Sequence, residues 1–204
     1  VHAEGGILFE LDYLPTAWNY LDTLARRRES YHTAEIEARG YDRHPRKAFV
    51  DHFFDSSATL EDFCRSAAVE QGSLTESMYE RSEGKRDTHI LALSTTGTVM
   101  QGEEPRRIAV EKRYQFKRSS IEVSYTITSA DEARIETCFA PEINLGFLSQ
   151  DASSLRVFVS RRNGKPAETG PQMQRVPAAT EIRFDDLVND TSLTLSTNEE
   201  REVW

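Results

Sequence analysis

Cysteine is scarce here: Cys64 and Cys138 are the only two, far apart and in no metal-ligand spacing. That argues against a disulfide-stapled scaffold, and reduced thiols in a cytoplasmic protein are expected. No apolar run approaches the roughly 20 residues that span a bilayer, and Val1 opens no signal peptide, so no membrane partner is expected. Positive charge is also in deficit: 25 Lys and Arg against 34 Asp and Glu leave a net charge of −9. Such a surface repels phosphate and argues against a nucleic-acid partner. A phosphate-cradling loop is missing, because Gly5-Gly6 precede a strand pattern instead of joining strand to helix. No serine sits in a G-x-S-x-G elbow. The histidines at 2, 32, 44, 52 and 89 form no ligand motif, and the separation of His44 from His52 matches no zinc template. No cofactor and no metal are therefore expected, although calcium held by oxygen ligands from distant segments stays open.

What is present is alternation. Hydrophobic residues make up 38% and charged residues 29%, an ordinary balance for a folded chain of 204 residues. Ile7, Phe9, Leu11 and Tyr13 share one side of a strand pattern, with Glu10 and Asp12 on the other. The same period recurs in Ile108, Val110, Tyr114 and Phe116, and again in Ile121, Val123, Tyr125 and Ile127. Ile135, Phe139, Ile143, Leu145 and Phe147 keep one parity across Pro141, where a bulge or bend is expected. Leu155, Val157 and Val159 lead into Asn163-Gly164, a hairpin signal. Further strands are expected at 180–184 and 193–197, and a long loop at 166–177. One helix is expected over 60–69, capped by Thr59 or Ser57 with Glu61-Asp62 in its first turn. Residues 17–32 score as helical by propensity, which is a weak prior. Many strands with turn signals about every ten residues indicate an all-β, two-sheet antiparallel sandwich.

Three segments carry a resemblance. They are Gly5-Gly6-Ile7-Leu8-Phe9-Glu10-Leu11-Asp12-Tyr13 with the following Asn19 to His32 run, Phe49-Val50-Asp51-His52-Phe53-Phe54, and Phe139 to Ser149. In order and spacing the chain resembles the C-terminal β-domain of glycoside hydrolase family 57, the α-amylase and 4-α-glucanotransferase group. The resemblance implies a galactose-mutarotase-like supersandwich over residues 1–204, with irregular structure over 17–32 in place of the helix that propensity suggests. It also implies a fragment of a larger hydrolase whose last strands follow Trp204. The catalytic carboxylates of that family belong to an N-terminal barrel, and no βα alternation of that kind exists here. The barrel of the same polypeptide is thus the implied partner, with α-glucan as the implied ligand. Truncated strand edges would favour self-association.

Candidate site residues follow from the same motifs. Glu10 and Asp12 stand on one strand face with Cβ atoms roughly 7 Å apart at about 3.4 Å rise per residue. They are either a solvated, salt-bridged face or, with Glu142 and Asn144, part of a polar face for sugar hydroxyls or a neighbouring domain. Arg27, Glu29 and His32, in the run that also holds Arg26, Arg28 and Tyr31, are candidates to pair with that face or to pin the connection over the sheet. Tyr13 and Trp18, with Tyr20, form an aromatic group of the kind that packs in a core or stacks on a pyranose ring. Two functions are carried forward. One is a non-catalytic accessory domain of an α-1,4-glucan enzyme. The other is an autonomous mutarotase-like epimerase or polysaccharide lyase using His and Glu as acid and base.

Overall fold

The computed structural model describes residues 1–31, 41–82, 89–131, 134–162, 164–170 and 174–204. The described residues are nearly all β, with antiparallel sheets and one short helix. They fall into two compact units, residues 1–12 with 21–145, and residues 13–20 with 146–204.

In the first unit, β4 (Glu80–Arg81), β5 (Ile90–Gln101), β6 (Glu104–Phe116) and β7 (Ile121–Ser129) form an antiparallel sheet in chain order. The alternation read in β6 holds, and in β7 it holds from Ile121 to Tyr125, while Ile127 is exposed. Ile108, Val110 and Tyr114 are buried, and so is Lys112 between them. A second, two-stranded sheet pairs β3 (Ala48–Phe54) with β8 (Cys138–Ile143). The core of this unit gathers Leu8, Leu21, Phe53, Leu74, Tyr79, Leu93, Val99, Ile108, Val110 and Tyr114.

In the second unit, β9 (Leu155–Arg161), β10 (Ala167–Thr169), β11 (Val176–Asp186) and β12 (Thr191–Val203) form a sheet in the order β10-β9-β11-β12. Val159, Val176 and Ala179 are its buried cluster. Tyr20 joins this unit: its hydroxyl donates to Asp186 Oδ2 at 2.7 Å, and Asn189 Nδ2 donates to the same oxygen at 2.8 Å. The Trp18 indole donates to the Gly146 carbonyl at 3.0 Å. The short strands β1 (Asp12–Tyr13) and β2 (Trp18–Asn19) pair with each other.

Several local expectations are corrected. Residues 7–13 do not form one strand. Leu8 makes a single bridge to Ala48, Ile7 and Leu8 are both buried, and Phe9 is exposed, so strict parity fails. The irregularity expected at Pro141 falls instead on the facing strand, at Phe49, between the pairs Ala48↔Ile143 and Val50↔Glu142. The helix α1 (Leu60–Cys64) is shorter than expected, although Thr59 caps it by accepting from the Asp62 amide. The loop expected at 166–177 contains β10 and the start of β11. Strand β5 has no counterpart in the alternation read from sequence. Its Thr-rich stretch around Gly97 lacks a clean apolar period. As expected, the described part of 17–32 forms no helix, and β9 and β10 pair antiparallel; Cys64 is half-buried and Cys138 exposed, and no disulfide joins them. Asn163, the first residue of the expected turn, lies outside the described residues.

Candidate functional site

Strand β3 reads Ala-Phe-Val-Asp-His-Phe-Phe, an apolar run with two polar residues within it. Both faces of this strand are covered, and Asp51 and His52 are buried on opposite sides. A buried charge without partners costs several kcal/mol, so each must be met by groups from elsewhere in the chain.

Asp51 is met by Lys112 of β6. Nζ and Oδ2 stand 2.7 Å apart with both side chains fully shielded. The Tyr79 hydroxyl donates to the same carboxylate oxygen at 2.8 Å. The ammonium also donates to the carbonyls of Gly5, Gly6 and Phe49 at 3.1, 3.2 and 2.8 Å. All three carbonyl residues have positive φ: +69° and +58° at the glycines and +64° at Phe49. At Gly5 a side chain would also meet the Thr75 carbonyl, with a Cβ only 2.8 Å from its oxygen. This is why the motif opens on two glycines. Burial pushes the Asp51 carboxyl up and the Lys112 ammonium down, each opposed by the charge of the other. The arrangement is a structural lock with no route to solvent.

His52 faces the other way. Its ring stacks on Phe54 with centroids 4.9 Å apart and meets the edge of Phe63 from α1 at 6.0 Å. Nδ1 lies 2.6 Å from Glu70 Oε2, and Nε2 lies 2.9 Å from Glu142 Oε2. The register puts His52 opposite Ala140 and Val50 opposite Glu142, so His52 and Glu142 are diagonal neighbours on one face. Glu70 is fixed in turn, its Oε1 accepting from the Phe53 and Gly72 amides at 2.7 and 3.2 Å. Asn144 Nδ2 donates to Glu142 Oε1 at 2.9 Å and to the Lys47 carbonyl at 3.0 Å. His44 completes the group, with Nε2 3.7 Å from Glu142 Oε2 and its ring 4.9 Å from that of His52. Burial opposes charge on His52, but the hydrogen bonds to Glu142 and Glu70 outweigh it and raise its pKa to about 9. Burial likewise pushes Glu142 up, and the donors His52 and Asn144 more than reverse this, leaving it below the usual carboxylate value.

Of the residues singled out from sequence, Glu142 and Asn144 thus meet in one half-buried group. Glu10 and Asp12 are exposed, and no described hydrogen bond or ion pair joins them to it. Tyr13 and Trp18 are half-buried on β1 and β2. Arg27 and Glu29 are exposed, while His32 lies outside the described residues. Pinning of the connection falls to Arg26. With Arg46 it holds Asp42 from two sides, at 2.8 Å each. His44, His52 and Glu70 belong to no local zinc motif, so the sequence spacing does not mark them as a group. The usable signal was the Asp-His pair inside an apolar strand, which obliges distant partners. These contacts bring two histidines and a carboxylate, His44, His52 and Glu142, within 4.8 Å of one another.

Comparison with known proteins identifies the architecture. The sequence profile of the family described as "Alpha-amylase/4-alpha-glucanotransferase, C-terminal" matches residues 1–40 and 35–204. The chain is 31% identical over 169 residues to the 4-alpha-glucanotransferase of Thermococcus kodakarensis, a match covering 70% of this chain and 24% of that protein. It is 29% identical over 168 residues to the alpha-amylase of Pyrococcus abyssi, covering 69% and 24%. The chain therefore spans about a quarter of the length of these relatives, 24% in each case. The solved 4-alpha-glucanotransferase from Thermococcus litoralis superposes with a TM-score of 0.66 at 23% identity, over 98% of this chain and 34% of that one. This last likeness speaks to fold alone. The relatives' names give the epimerase and lyase reading no support.

Proposed function

The chain belongs to the alpha-amylase/4-alpha-glucanotransferase C-terminal family, and on that premise we propose that it serves as the non-catalytic β-domain of a larger enzyme acting on α-1,4-glucans. The observation that carries this reading is the family match itself, which runs through the whole chain and is C-terminal by description. An N-terminal catalytic barrel in the same polypeptide would supply the reacting carboxyl groups, and this domain would pack on it.

The chemistry of the His52 group supports a role other than catalysis. A retaining glycosidase needs two carboxyl groups about 5–5.5 Å apart, one free to attack and one protonated to act as acid. Glu70 and Glu142 approach a common point, but both are committed to His52. Glu142 is also held below the ordinary carboxylate range, which suits an ion-pair partner and not a proton donor. Contact with α-glucan would fall to aromatic groups such as Tyr13 and Trp18, whose faces suit pyranose C–H surfaces.

Incubation of the chain with maltoheptaose, with products resolved by chromatography, tests the reading. No shortened or lengthened oligosaccharide is expected. Turnover above the blank that disappears in Glu142→Gln would overturn it.

A further inference from the structure

We propose that His44, His52 and Glu142 bind one divalent transition-metal cation of the borderline class, with Zn²⁺ as its representative. Two imidazole nitrogens and one carboxylate oxygen, Nε2 of each histidine and Oε2 of Glu142, converge within 4.8 Å of one another. With metal–ligand bonds of about 2.0–2.1 Å in tetrahedral geometry, such atoms sit about 3.3 Å apart. The observed Glu142 Oε2 separations, 2.9 Å to His52 and 3.7 Å to His44, bracket that value.

The outer side of each ligand is already held, and this is the independent observation. The Nδ1 of His52 contacts the Glu70 carboxylate at 2.6 Å. The Nδ1 of His44 faces the Pro45 carbonyl at 3.4 Å. Glu142 Oε1 accepts from Asn144, leaving Oε2 turned toward both rings. Anchoring Nδ1–H on a carboxylate or carbonyl fixes the tautomer whose Nε2 lone pair points inward, the usual support of a metal-bound histidine. The cation takes the place of the proton on His52 Nε2, which leaves to solvent. Its two charges are then balanced by Glu142 and Glu70. With a single ligating carboxylate, the set does not suit Ca²⁺ or Mg²⁺, which require more oxygen donors. His44 and Glu142 keep 16% and 14% of their side chains exposed, which leaves a path for entry and a fourth position for water. A bound cation would clamp the 41–47 segment to the β3–β8 sheet.

The test is Zn²⁺ binding to the chelator-stripped chain, measured by calorimetry with metal content determined on the dialysed protein. One Zn²⁺ per chain is expected, not displaced by excess Mg²⁺. His44→Ala and Glu142→Gln should each weaken binding at least about tenfold, and Glu70→Gln about 10–100-fold. Zn²⁺ should raise the melting temperature of the parent chain more than that of His44→Ala at the same metal concentration. His44 lies outside the strands, so this variant should melt like the parent in chelator. Should it not fold, His44→Gln gives the same reading. Absence of zinc uptake, or uptake that neither His44 nor Glu142 substitution weakens, overturns the proposal.

Discussion

Lys112 and Asp51 meet 2.7 Å apart with neither side chain exposed to solvent, and this pair joins the opening Gly-Gly turn, β3 and β6. The ammonium collects three backbone carbonyls, from Gly5, Gly6 and Phe49, each presented by a residue at positive φ. Attraction between buried charges offsets their desolvation only when such additional partners are supplied. The unusual backbone at these three positions is what supplies them.

Breaking this pair from one side should be far worse than removing both partners. Lys112→Met leaves the Asp51 carboxylate buried and unpaired, for an expected loss of about 3–5 kcal/mol. The double substitution Lys112→Met with Asp51→Leu should recover much of that loss. Urea unfolding of the three proteins gives the comparison, and a strictly additive double variant would contradict it.

The backbone that feeds the lock should be equally intolerant. Gly5→Ala forces an L side chain to φ +69° and drives its Cβ toward the Thr75 oxygen. The left-handed conformation alone costs about 1–2 kcal/mol, so a loss above that range is expected by denaturant unfolding. A change below about 0.5 kcal/mol, the scale of a neutral surface substitution, would mean that the turn is looser than drawn.

Acid should expose the Asp42 cluster. Burial raises the cost of its charge, but hydrogen bonds from Arg26 and Arg46 outweigh this and hold its pKa down to about 2. A carboxyl depressed in the folded state stabilises at pH above its unfolded value of about 3.9, and that contribution fades as pH falls toward the folded value. Between about pH 4 and pH 2, therefore, Asp42→Asn should show a shallower loss of stability than the parent. Parallel slopes in that window, read from urea midpoints, would show that other carboxyls dominate.

Tyr20→Phe removes a buried donor from Asp186 and leaves the Asn189 and backbone donors in place. A hydrogen bond to a charged group contributes about 1.5–3 kcal/mol, and a loss in that range is expected on thermal or urea unfolding. Because Asp186 then has one donor fewer, its pKa should rise, which NMR titration of the side chain would register. An unshifted titration would mean that Tyr20 is dispensable to it.

Sequence alone determined the class of this protein and much of its strand content. Period-2 alternation needs only neighbouring residues, so β6, β7 and β9 were legible from Ile108 to Tyr114, Ile121 to Ile127 and Leu155 to Val159. The cap at Thr59 was equally local. The spaced motifs carried the family. Alternation also shows which face of a strand a residue occupies, but not what stands opposite. Tertiary structure alone decided that Lys112, on the inward parity of β6, would find carbonyls more than 100 residues away. It likewise decided that His52 would be clasped by Glu142 at a separation of 90 residues and by Glu70 at 18. The physical reason is register: a bulge at Phe49 and the pairing of β3 with β8 set which polar atoms converge. No local period encodes a bulge on the facing strand.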